Sequence, residues 1–143
     1  MQQPARTELL LGLLIRLQKL MMKQSSESHE DRVASMLQYA ALTAVSEERG
    51  MTNSQLADTL CLSPSSATQL AERLVKAGFI ERFSDTSDRR ITRLKLTQLG
   101  ERELDILRQK KLEKMKSVLS VISAEDQQHL VRIYSNLIEK LEQ

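Results

Sequence analysis

Two helix-start signatures stand close together in this chain and are followed by a change of hydrophobic period, an order that few folds accommodate. Thr52-Asn53-Ser54-Gln55 sets a hydroxyl three residues ahead of a glutamine, the spacing of a capping box. It predicts a short helix to about Leu60. Ser63-Pro64 is a second start, because a proline at the first helical position gives up an N–H that has no partner there. The helix it opens carries Ala67, Leu70, Leu74 and Ala77 on one face until Gly78 ends it. The two helices meet across Cys61-Leu62, which is helix-turn-helix order.

Beyond Gly78 the period falls to two. Phe79 to Phe83 is one candidate strand, and Ile91 to Leu96 is another, with Leu94 and Leu96 on one face and Arg93 and Lys95 on the other. The stretch Ser84 to Arg90 between them is polar and rich in turn formers, so the pair reads as a hairpin with a basic tip, a wing.

Charge supports a DNA-facing role for this middle region. The whole chain carries a net charge of only +2. Residues 63–97 hold seven basic and four acidic residues, whereas 1–62 hold six and seven, and 98–143 hold eight and eight. The cationic excess is therefore local, as a phosphate-facing patch requires. When the apolar face of the second short helix is buried, Ser65, Ser66, Thr68, Gln69, Glu72, Arg73 and Lys76 are left outside. Small hydroxyls let that backbone approach DNA closely, Gln69 can bond an adenine edge, and Arg73 or Lys76 can reach a guanine or a phosphate. Arg89, Arg90 and Arg93 supply the wing's cations.

The flanking segments are helical and unusually apolar. Leu9, Leu10, Leu13, Leu14, Leu17, Leu20 and Met21 form a wide stripe on the first helix. A second helix over about 31–48 turns Val33, Met36, Leu37, Ala40, Ala44 and Val45 inward and stops at Gly50. Thr97 caps a long helix to about Val121, with Leu104, Leu112, Met115, Leu119 and Ile122 on one edge. Ser123 opens a last helix bearing Leu130, Ile133, Leu137 and Leu141. These stripes exceed what one small domain readily buries, so the terminal helices are expected to form a homodimer.

The expected fold is mainly α with a small β-hairpin wing: a winged helix-turn-helix plus long N- and C-terminal dimerisation helices. One domain spans 1–143, with the winged lobe over 31–100 and a helical dimerisation lobe from 4–24 and 101–143. Other functions find little footing. One cysteine and two distant histidines, His29 and His129, make neither a disulfide nor a clustered metal site. With four glycines there is no phosphate-cradling loop, and no nucleophile motif or cofactor motif is present, so neither an enzyme nor a cofactor is expected. The longest apolar run, Leu9 to Ile15, is far short of the about 20 residues of a membrane span, and Glu8 with Arg16-Leu17-Gln18-Lys19 does not suit a signal peptide. A cytoplasmic location follows.

Several segments in order resemble the winged helix-turn-helix of the MarR (multiple antibiotic resistance regulator) family. They are Gln38 to Leu42, Ser54 to Asp58, Leu62 to Thr68, Glu72 to Arg82, Asp85 to Arg90, and Leu96 to Gly100. The resemblance implies a homodimeric transcription regulator on a pseudo-palindromic double-stranded operator, often a repressor released by a small anionic or phenolic ligand. It implies that Ser65, Ser66, Thr68, Gln69 and Arg73 face the major groove, that Arg90 makes the wing's contact, and that Asp85 pairs to hold the wing. Ser87 and Gln69 stand where the family commonly has basic residues, which implies a shallower salt dependence. Half-sites are expected about 10 base pairs apart. The ligand is expected between the dimer helices and the winged lobe.

Two further readings compete. The winged fold could serve as a protein-interaction adaptor without specific DNA binding, which the basic hairpin argues against. Cys61 could sense oxidants, but no cation stands near it in sequence to lower its pKa, so an ordinary turn residue is expected.

Overall fold

The computed structural model describes residues 3–24 and 26–143. The elements in chain order are α1 (Gln3–Lys23), α2 (His29–Glu47), β1 (Met51–Thr52), α3 (Asn53–Thr59), α4 (Pro64–Lys76), β2 (Ile80–Ser84), β3 (Thr92–Leu96), α5 (Gln98–Leu119) and α6 (Ala124–Leu141). The chain divides into two compact units, Met1–Met36 and Leu37–Gln143. Among the described residues no helix is long and apolar enough to cross a membrane.

The first unit holds α1 and the start of α2. Ser28 opens α2 by accepting the Asp31 N–H at 3.2 Å and donating to the Asp31 carboxylate at 2.6 Å. Arg32 donates to the Met22 and Glu27 carbonyls at 3.4 and 3.2 Å, which closes the connection from α1. None of the residues of α1 is buried. Its leucines stand about half exposed or more, Leu10 and Leu14 at 60%.

The second unit has one core, built from Leu42 and Val45 of α2, Met51 of β1, Leu56 of α3, Leu70 and Leu74 of α4, Ile80 of β2 and Leu94 of β3. The expected inward face of α2 is met at Ala44 and Val45, with Leu37 packed on the core, and is not met at the start of the helix. Ala41, Leu42, Ala44 and Val45 are buried, while Val33 and Met36 are exposed. So many positions of this helix are apolar that periodicity announces a face without fixing which way it turns. On α4 Ala71 is buried along with Ala67, Leu70 and Leu74, while Ala77, just past the end of the helix, is exposed.

The sheet is antiparallel with order β1-β3-β2. Ile80 pairs with Leu96 and Ser84 with Thr92, while Met51 and Thr52 pair with Leu94 and Arg93. The third strand, β1, was not expected from the pattern, since two residues are too few to show a period.

The helix caps follow the sequence. Thr52 accepts the Gln55 N–H, and the Gln55 side chain accepts the Thr52 N–H at 2.8 Å, completing the capping box. Ser63, Thr97 and Ser123 accept the N–H groups of Ser66, Gly100 and Asp126 in the same way. The start of α5 is also tied to the end of α4. The Thr97 N–H donates to the Phe79 carbonyl at 3.0 Å, and its hydroxyl donates to the Gly78 carbonyl. Gly78 has φ +81, the left-handed conformation that glycine adopts without steric cost. Gly100 lies so close that an added Cβ would stand 1.9 Å from the Phe79 carbonyl oxygen.

Candidate nucleic-acid interface

The turn between α3 and α4 sets the angle at which α4 is presented. The Cys61 and Leu62 N–H groups donate back to the Asp58 and Ala57 carbonyls at 3.2 and 2.9 Å. Cys61 adopts φ +54, a left-handed conformation unusual for a residue with a side chain, and reverses the chain there. The thiol is exposed. No group of three or more His, Cys, Asp or Glu suited to a metal ion occurs among the described residues.

Helix α4 buries Ala67, Leu70, Ala71 and Leu74. Ser65, Ser66, Thr68, Gln69, Glu72, Arg73 and Lys76 are all exposed. Within this row the hydroxyls are not equivalent. Ser66 takes the Ser63 hydroxyl at 2.8 Å, and Ser65 lies 3.3 Å from the same oxygen. Thr68 donates to the Pro64 carbonyl at 2.9 Å and accepts from Asn53 of α3 at 3.0 Å. The sequence reading missed Asn53, because its role exists only where α3 crosses α4.

The wing is held from inside by Asp85. Its carboxylate accepts the Ser87 and Asp88 N–H groups at 2.8 and 3.0 Å and the Arg93 guanidinium on its other oxygen. Arg93 chiefly, then the Asp88 and Ser87 N–H groups, hold the Asp85 carboxyl below the usual carboxylate range. Arg93 also donates to the Gly50 carbonyl at 2.8 Å. Expected at DNA, Arg93 is instead half-buried and committed to two acceptors, so it props the wing rather than reaching a phosphate.

The tip is differently arranged. Arg90 closes a fork on Asp88, with two bonds of 3.1 Å, and its side chain is 91% exposed. Those bonds lower the Asp88 pKa and raise that of Arg90. A pair this exposed contributes little in water, so the guanidinium can turn to another anion. Arg89 is exposed, with no ion pair among the described residues. Behind the tip, Lys95 pairs with Glu81 at 3.1 Å and lies over the Phe83 ring.

A second feature lies between the C-terminal half of α2 and the start of α5. Tyr39, Thr43, Ser46, Glu47, Leu96, Glu101, Leu104, Asp105 and Arg108 line a cleft of about 510 Å³. The Thr43 hydroxyl oxygen is buried there without a hydrogen-bond partner.

Known proteins share this architecture. Residues 34–92 match the model of the MarR family. An uncharacterised HTH-type transcriptional regulator of Bacillus subtilis (strain 168), YpoP, is 26% identical over 137 residues, 94% of this chain and 97% of that protein. The YusO crystal structure from B. subtilis superposes with a TM-score of 0.70 at 24% identity, covering 93% of this chain and 96% of that one. A MarR family protein from Bacillus stearothermophilus gives a TM-score of 0.71 at 21% identity, over 100% and 99% of the two chains.

Proposed function

We propose that this chain, whose residues 34–92 match the model of the MarR family, is a DNA-binding transcription regulator of that kind, acting as a homodimeric repressor released by a small molecule. Each protomer lays α4 in a major groove and sets the wing tip on the flanking phosphates.

One observation carries the DNA-reading part. The outer row of α4 holds hydroxyls, an amide, two cations and one carboxylate, Glu72, without a large apolar side chain, and the hairpin that follows α4 bears Arg89 and Arg90 at its tip. Ser65, Ser66, Gln69, Arg73 and Lys76 then meet bases or nearby phosphates, and Thr68 lies in the same row. Arg89 and Arg90 add counterion release, while Asp85 and Arg93 keep the tip in place.

Dimerisation is favoured by the opposite character of α6. Leu130, Ile133, Leu137 and Ile138 are 36, 53, 51 and 52% exposed, and Leu112 and Met115 of α5 are exposed as well. Apolar surface on this scale is favourably removed from water by a second copy.

The cleft beside Tyr39 suits the ligand. Its three carboxylates, Glu47, Glu101 and Asp105, outnumber the single Arg108, which disfavours an anion, so of the anionic and phenolic ligands expected the neutral phenol, able to bond Thr43, fits better.

Selection of bound duplexes from a random-sequence pool at near-physiological salt tests the proposal. A palindrome with half-sites about 10 base pairs apart is expected. Retention of unrelated sequences that vanishes as salt rises would overturn sequence reading in favour of an adaptor role.

A further inference from the structure

We propose that the cleft between α2 and α5 takes an organic cation, a phenol that carries a protonated amine, in preference to a phenol without charge. The inference rests on the reading of this cleft as the ligand site and adds the charge of its ligand.

Glu47 of α2 and Glu101 and Asp105 of α5 line the cleft, and among the described residues none of the three is in an ion pair. Glu101 and Asp105 stand four positions apart on one helix, the spacing at which side chains are neighbours and like charges repel. A cation held against both relieves that repulsion, whereas a neutral ring leaves it in place. Arg108 is the one cation lining the cleft, and Lys111 stands over the Tyr39 ring with its ammonium 4.8 Å from the centroid. With both counted, the carboxylates still outnumber the cations three to two.

The same wall holds the Thr43 hydroxyl oxygen, buried without a hydrogen-bond partner. A buried polar atom left unpaired costs free energy, and a ligand hydroxyl that bonds it recovers that cost. Tyr39, Leu96 and Leu104, each partly buried, give a ring its apolar contact. A bare metal ion suits this donor set poorly, since no group of three or more His, Cys, Asp or Glu fit to hold one occurs among the described residues. The volume of about 510 Å³ is that of a small-molecule site. An alkylamine, like the lysine side chain, is protonated at neutral pH and so enters as a cation.

Titration calorimetry of the full-length protein with three ligands that share a para-hydroxyphenyl ring tests this. Tyramine, para-ethylphenol and para-hydroxyphenylacetate carry a cationic, a neutral and an anionic arm of similar length. Tyramine is expected to bind about tenfold more tightly than para-ethylphenol, the worth of two or three exposed ion pairs, and para-hydroxyphenylacetate the most weakly. Added salt is expected to shrink the advantage of tyramine and to leave para-ethylphenol alone. Glu101→Gln and Asp105→Asn are each expected to cost tyramine about threefold while para-ethylphenol binds unchanged, which also shows that the variants are folded. Thr43→Val is expected to weaken both ligands, which locates them in the cleft. If para-ethylphenol binds as tightly as tyramine and Thr43→Val weakens it, the inference falls while the cleft stands as a phenol site. The inference falls too if the two carboxylate substitutions leave tyramine unmoved or weaken both ligands alike. If none of the three ligands binds, or if Thr43→Val changes no affinity, the reading of the cleft as the ligand site falls with it.

Discussion

The Asp85 carboxylate and the Arg93 guanidinium face each other across the base of the wing, and the same guanidinium holds the Gly50 carbonyl at 2.8 Å. One side chain thus ties the wing loop to the turn that follows α2. Arg93→Lys keeps the charge but loses the planar fork that serves two acceptors. The wing should then lose its fixed place, weakening operator binding about tenfold, as for one lost phosphate contact and its orientation. Asp85→Asn should do the same, and the double variant should be little worse than either single one. Titration of a labelled operator with all three proteins checks this.

The pH dependence of that pair has a definite sign. Because the folded Asp85 carboxyl titrates below its unfolded value, the pair's contribution is fully present above about pH 4 and fades as pH falls through the lowered folded value. The gap in unfolding midpoint between the natural chain and Asp85→Asn should therefore be constant from about pH 5 to 8 and close below about pH 4. Urea unfolding at a series of pH values measures it.

Cations at the wing tip and polar residues on α4 should fail differently. Arg89→Ala and Arg90→Ala should weaken all duplexes alike and reduce the salt slope by about 1 each. Gln69→Ala and Arg73→Ala should cost about 1–3 kcal/mol on the best operator and relax preference at individual bases. Competition binding at several salt concentrations separates the two patterns.

Much of this was legible in the sequence because it is local. The caps at Thr52, Ser63, Thr97 and Ser123 depend on groups three residues apart, and the row from Ser65 to Lys76 follows from the apolar positions behind it. What escaped is long-range. β1 exists only because Met51 and Thr52 find Leu94 and Arg93, and Arg93 looked like a free cation because its second acceptor, Gly50, lies 43 positions away. The Asn53 to Thr68 bond was hidden for the same reason, as no one-dimensional pattern tells which residues of two crossing helices touch.

Gly100→Ala should be among the most damaging single-methyl changes in the second unit. The new Cβ would stand 1.9 Å from the Phe79 carbonyl oxygen and 2.8 Å from its carbon, so backbone must move. A loss of about 1–3 kcal/mol is expected, by analogy with overpacked cores, and thermal unfolding followed by circular dichroism reads it.

Ile133→Asp combined with Leu137→Asp should leave a folded monomer, because both residues are half exposed in the single chain and their replacement costs that chain little. Sedimentation gives the mass. Affinity for a full palindrome should fall by about 100-fold or more, while affinity for an isolated half-site changes little.

The contact between Gly100 and Phe79 also makes the start of α5 a pivot. Backbone meets backbone there, and Thr97 is bonded on the same spot, so the helix can neither slide along the hairpin nor lift from it. It can only tilt. The 22 residues of α5 run about 33 Å, and a tilt of about 10° at the pivot carries the far end about 6 Å. Under the proposed ligand control, a molecule in the cleft at Glu101, beside the pivot, and Asp105, about one turn beyond it, would act on the short arm of this lever. The quantity transmitted would then be an angle, and residues near Met115 and Leu119 would feel it most.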